Sequence, residues 1–140
     1  MRLSSGIFID TGAFLAMLIP DDQFSSSADE AWKDLEKERL QLFSSEPVLI
    51  ETANFLIRQQ SPDIAAEWVR NSLESNEIRW LQPSRDDLGN ASDFIVKFSD
   101  QGISMTDAIS FSLMKHHNIQ HAFSFDRHFS IAGFKLWQHV

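Results

Sequence analysis

The chain has 140 residues, of which 43% are hydrophobic, including twelve Phe and four Trp; Asp and Glu outnumber Lys and Arg by 20 to 12, for a net charge of −8. A chain of that length suits one domain over 1–140, burying about two thirds of the surface its unfolded form exposes, and that composition excludes global disorder. The absence of cysteine excludes disulfides, thiolate nucleophiles and cysteine zinc sites, while the acidic balance argues against indiscriminate adhesion to nucleic acid and suits a basic protein partner.

Met1-Arg2-Leu3-Ser4-Ser5 leads into an apolar strand without a signal-peptide core, and no apolar run approaches the roughly 20 residues of a membrane span, so a soluble cytoplasmic protein with no membrane partner is expected. Residues 6–9 form a short, continuously apolar strand of the kind covered on both faces in a parallel sheet. A helix is predicted over 13–19, with Asp10 or Thr11 as its N-cap and Pro20 closing it. A charged helix over 27–40 carries Ala28, Ala31, Trp32 and Leu35 on one face, and a strand follows at 40–43. Pro47 opens a helix that contains Glu51 and runs to about residue 60, and Ser61-Pro62 opens another, with Ile64, Ala65, Trp68, Val69 and Leu73 at helical spacing. A strand at 78–81, a helix over 84–98, a break at Gly102, a helix around Asp107, a strand over 119–125 and a last strand at 135–138 complete the pattern. Helices alternating with short apolar strands predict a three-layer α/β/α domain with a short, mostly parallel sheet.

Four carboxylates stand at the edges of apolar stretches. Asp10 ends Ile7-Phe8-Ile9, Glu51 sits within Val48-Leu49-Ile50-Glu51-Thr52-Ala53, Asp107 opens the helix around Ile109 and Leu113, and Asp126 ends Ala122-Phe123-Ser124-Phe125. Two unit charges about 4 Å apart repel by roughly 4 kcal/mol at an effective dielectric near 20, so acids gathered without Lys or Arg must protonate, pair or bind a cation. Oxygen ligands select hard ions such as Mg²⁺ or Mn²⁺. Asp10 and Asp126 both follow strands, on the side where open parallel sheets bind ligands. Three of the four acids also have a purely structural alternative: Asp10 as a helix cap, Asp107 as the residue three after the cap in the capping box Ser104-Met105-Thr106-Asp107, and Asp126 as a turn residue or a surface ion pair with Arg127. Glu51, flanked by Leu49, Ile50 and Ala53, is the hardest to explain as a solvated surface charge.

The histidines His116, His117, His121 and His128 lack the spacing of a metal pair on one helix face and are expected at the surface or near helix C-termini. The Asp10-Thr11-Gly12 triplet matches the aspartic protease signature, but that chemistry belongs to an all-β fold and this pattern is rich in helices. A haloacid-dehalogenase-like phosphatase needs a second Asp where this chain has Gly12.

Taken together, Ile7-Phe8-Ile9-Asp10-Thr11, Glu51, Ser104-Met105-Thr106-Asp107-Ala108-Ile109-Ser110-Phe111 and Ala122-Phe123-Ser124-Phe125-Asp126-Arg127-His128-Phe129 resemble the PIN-domain family, in particular its small VapC-like ribonuclease toxins of toxin-antitoxin pairs. The resemblance implies a parallel sheet that gathers the four acids at one edge. Asp10 and Asp107 would be the principal Mg²⁺ or Mn²⁺ ligands, Asp126 a further ligand directly or through water, Glu51 a ligand or positioner of the attacking water, and Thr11 an orienter of Asp10. It further implies endonucleolytic hydrolysis of RNA, with transfer RNA a frequent target, a homodimer, and an antitoxin whose tail blocks the acidic pocket. Arg127, Arg58 and Lys115 are candidate phosphate contacts. An inactive PIN-like binding module and a DNA or flap-type nuclease are the alternatives, since metal and carboxylates alone do not distinguish the sugar.

Overall fold

In the computed structural model, which describes residues 6–137, five strands form one sheet in the order β3-β2-β1-β4-β5. These are β1 (Ile7–Ile9), β2 (Leu42–Ser45), β3 (Ile78–Leu81), β4 (His121–Phe123) and β5 (Lys135–Leu136), and every pairing is parallel. β1 is central and wholly buried, which explains its unbroken apolar run. Gly6 precedes it with φ +80°, and a Cβ there would lie 2.5 Å from the Gln41 carbonyl oxygen, so only glycine fits this entry to the sheet.

Helices α1 (Thr11–Leu18), α2 (Ser25–Glu38), α3 (Glu46–Gln59) and α4 (Pro62–Glu74) pack as one group, α1 against α2 and α3, and α3 against α4. On the other side of the sequence, α5 (Arg85–Lys97) lies along α6 (Met105–His116), and α6 touches the short α7 (His128–Ile131). Local chemistry sets the starts. Ser45 and Ser61 cap α3 and α4 by accepting from the Val48 and Ile64 amides, each followed by a proline in the first turn. Ser84 and Ser104 open α5 and α6 with complete capping boxes closed by Asp87 and Asp107. No helix among the described residues is long and apolar enough to cross a membrane.

Two elements differ from the sequence pattern in ways that matter for the site. β2 lies two residues further on than expected, which buries Ser44 and Ser45; the Ser44 hydroxyl donates to the Ile9 carbonyl at 2.7 Å and ties the carboxyl ends of β1 and β2 together. The predicted strand over 119–125 is confined to His121–Phe123, and between it and β5 the chain makes the one-turn α7, which is too short to leave a periodic signature. α7 is held by Phe129, fully buried with its ring edge-on to Phe111 at 5.0 Å. Burying a side chain of that size is worth about 1.5–3 kcal/mol.

Chain order now gives the site its place. From β1 the sheet grows through β2 to β3 on one side, then resumes with β4 on the opposite side of β1. The connections leaving β1 and β4 therefore diverge, and a crevice opens between them at the carboxyl ends of these strands.

Candidate metal centre

Asp10 follows β1 at the N-cap position of α1, yet its side chain makes no capping bond. Only 5% exposed, it accepts instead from the Ser124 hydroxyl at 3.0 Å. Ser124 is itself buried beyond the end of β4, and its Oγ also accepts from the Asp126 amide at 3.0 Å. One hydroxyl thus fixes the Asp10 carboxylate against the turn that carries Asp126. Burial, and next the charge of Asp107, push the Asp10 carboxyl up to about 7; Asp126 adds to this, while Ser124 and the Thr11 backbone N–H pull the other way.

Asp107 occupies the first turn of α6, where it closes the capping box through its Oδ2, 3.3 Å from the Ser104 amide. Its carboxyl is also held above the ordinary range, by burial first and then by Asp126, with partial relief from the Ser104 amide and the His128 ring. Asp126 Oδ1 accepts from the His128 amide at 2.9 Å in a tight turn. The His128 ring returns across that turn, with Nδ1 3.0 Å from Asp126 Oδ1 and 3.4 Å from Asp107 Oδ2. Donor atoms of Asp107, Asp126 and His128 all lie within 4.8 Å of one another.

The expected acids thus divide. Asp10, Asp107 and Asp126 share one electrostatic site across β1, β4 and α6. Glu51 lies outside the compact trio, half-buried on α3, in a shallow groove with Asn54, Phe55, Arg58 and Thr106, the neighbour of Asp107. The Thr11 hydroxyl is buried without a hydrogen-bond partner, so the hydroxyl that reaches Asp10 is that of Ser124. Arg58, stacked over Phe55 at 5.0 Å, lines the same groove as Glu51. Lys115 is elsewhere, over Phe94 beside α5. His128 corrects the expectation of surface histidines, since its side chain is only 18% exposed and stands among the acids. The missed signal was its position two residues after Asp126, which allows an Asx-type turn to bring it back.

Three carboxylates with raised or mutually repelling charges meet no Lys or Arg within ion-pairing distance among the described residues, where every ion pair involves histidine. Added to this, the His128 Nδ1 is buried without a hydrogen bond of ordinary geometry. An oxygen-rich donor set with an orphaned buried nitrogen fits a divalent cation. The PIN domain profile matches residues 7–135. The chain belongs to the PIN domain family. Within that family, this PIN domain is 30% identical over 130 residues to VapC20 of Mycobacterium tuberculosis, a 23S rRNA-specific endonuclease, with 91% of this chain and 95% of the relative covered. The crystal structure of M. tuberculosis VapC20, described as a sarcin-ricin loop cleaving toxin, superposes with a TM-score of 0.83 at 29% identity, over 91% of this chain and 95% of that one. VapBC2 from Rickettsia felis, bound to a promoter DNA fragment, shares the fold with a TM-score of 0.69 at 13% identity, over 93% and 96% of the two chains.

Proposed function

We propose that this PIN domain is a divalent-metal-dependent endoribonuclease, the toxin of a toxin-antitoxin pair, which hydrolyses an RNA phosphodiester. The observation that carries this reading is the meeting of Asp10, Asp107 and Asp126 at the switch point of the sheet, at an electrostatic cost that no structural role repays. A bound Mg²⁺ or Mn²⁺ supplies polarisation of the phosphoryl oxygens and a water of lowered pKa. The chain's own residues do the rest. Asp10, Asp107 and Asp126 would hold the ion, Ser124 keeps the Asp10 carboxylate in place, and Glu51, in the groove that reaches Thr106, would orient the attacking water. The capping box of Asp107 is compatible with this, because backbone amides steady the carboxylate while an oxygen stays available. Arg58, in the same groove as Glu51, and the exposed Arg127, next to Asp126, would contact the phosphate backbone.

Likeness to VapC20 supports a structured ribosomal RNA loop as substrate, in preference to the transfer RNA that the family resemblance leaves open. The acidic surface supports capture by a basic antitoxin segment, and complexes such as VapBC2 support an antitoxin partner. A homodimer in the cytoplasm completes the proposal. The test is cleavage of ribosomal RNA fragments by the purified chain with Mg²⁺ or Mn²⁺. Cleavage should vanish in EDTA and in Asp10→Asn with the fold retained by circular dichroism; undiminished cleavage in EDTA would rule the reading out, and metal binding without cleavage of any RNA would favour an inactive binding module.

A further inference from the structure

We infer that His128 is a nitrogen ligand of this metal centre through Nδ1, and that it tilts the site toward first-row transition ions such as Mn²⁺ over Mg²⁺. The inference rests on the metal-dependent reading of the crevice and goes beyond its carboxylates. Three observations carry it. First, Nδ1 lies 3.0 Å from Asp126 Oδ1 and 3.4 Å from Asp107 Oδ2. Adjacent ligands of an octahedral ion with bonds of about 2.1 Å stand about 3 Å apart, so these separations suit donors that share one ion, as they also suit an ion pair. Second, Nδ1 is shielded from solvent yet makes a hydrogen bond of ordinary geometry to neither carboxylate. A protonated ring acting only as a counter-charge would aim its N–H at one of them. Third, the ring is delivered by fixed structure: the His128 amide donates to Asp126 Oδ1 at 2.9 Å, and the next residue, Phe129, is fully buried against Phe111.

Donor chemistry then sets the preference. Mg²⁺ favours oxygen and keeps its waters, whereas imidazole nitrogen suits first-row transition ions. A site of carboxylates alone would discriminate less between Mn²⁺ and Mg²⁺ than one that adds an imidazole.

The experiment uses the full chain without an affinity tag and Mn²⁺ as a paramagnetic probe. Electron spin-echo envelope modulation of the bound ion reads nitrogen ligation, and Mg²⁺ competition reads selectivity. Wild type should show ¹⁴N modulation, and His128→Gln should bind Mn²⁺ without it, with the preference for Mn²⁺ over Mg²⁺ reduced by about tenfold. Mn²⁺ bound by wild type with no ¹⁴N modulation, or modulation that persists in His128→Gln, overturns the inference and leaves the metal reading intact. Failure of wild type to bind Mn²⁺ at all overturns both. The wild-type spectrum is decisive by itself, so the test stands even if a variant does not fold.

Discussion

Two helix starts in this molecule share one local design and have opposite electrostatics. Ser84-Arg85-Asp86-Asp87 and Ser104-Met105-Thr106-Asp107 both form complete capping boxes, and both place the closing Asp beside a histidine, His116 Nδ1 at 2.9 Å from Asp87 and His128 Nδ1 at 3.4 Å from Asp107. Asp87, 3% exposed, is pushed up by burial, but the Ser84 amide and hydroxyl and the His116 ring outweigh this and leave its carboxyl below the ordinary range. Asp107 has fewer compensations and two acidic neighbours, so it is left above that range. A capping box therefore does not tell whether an acid is there for stability or for chemistry. The company it keeps across the fold does.

The sharpest way to break this contrast is to neutralise each acid in turn. Asp107→Asn should lower RNA cleavage by about a hundredfold or more by removing a metal-facing oxygen, whereas Asp87→Asn should leave turnover by the folded protein unchanged and lower the Tm. Single-turnover cleavage assays beside thermal melts check both, and equal losses of activity would remove the distinction. Next in size is the effect of metal on stability. Mn²⁺ at a hundred times its Kd should stabilise wild type by about 3 kcal/mol and Asp87→Asn equally, but Asp107→Asn by much less, as read from melts with and without chelator.

pH separates the two regions further. In chelator, the Asp10 carboxyl is raised from 3.8 in its free form to about 7 in the fold. The neutral acid is thus favoured in the native state, and stability present below pH 4 is lost as pH rises toward 7, by up to about 4 kcal/mol. Asp87 has the reverse sign: its lowered carboxyl contributes stability above its unfolded pKa that is lost as pH falls through its folded one. Metal-free Asp10→Asn should flatten the pH 4 to 7 limb of the Tm profile and Asp87→Asn the acid limb; a flat wild-type profile between pH 4 and 7 would contradict the burial of a charged Asp10. The smallest expected effect is at the caps. Ser84→Ala and Ser104→Ala should each cost about 1 kcal/mol, but only Ser104→Ala should also weaken Mn²⁺ binding, because the Asp107 amide then loses the hydroxyl that fixes the first turn of α6 beneath its carboxylate.

Much of this architecture is legible in residues 6–137 because strong local signals coincide. The unbroken Ile7-Phe8-Ile9 run predicts a strand covered on both faces and yields one, and Pro47, Ser61-Pro62, the apolar spacing over 84–98 and the Ser104 capping box predict α3 to α6 within a residue or two. The same signals misplace β2, because alternation cannot register a four-residue strand whose last two positions are buried serines. They also miss α7, a single turn. At the site, the acids are marked by their position at strand ends, but Ser124 and His128 are not, since their roles depend on partners in distant segments: Ser124 acts on a carboxylate 114 residues away.

Sequence alone thus determined which segments become strands and helices, and that unpaired acids would sit where strands end, because hydrophobic periodicity and capping act over a few residues. Tertiary structure decided which acids meet. The reversal of strand order around β1 brings Asp10 and Asp126 into one crevice, leaves Glu51 at its margin, and folds His128 back among the acids. Charges separated by a hundred residues of chain feel one another only once the sheet has set their distance and removed the water between them.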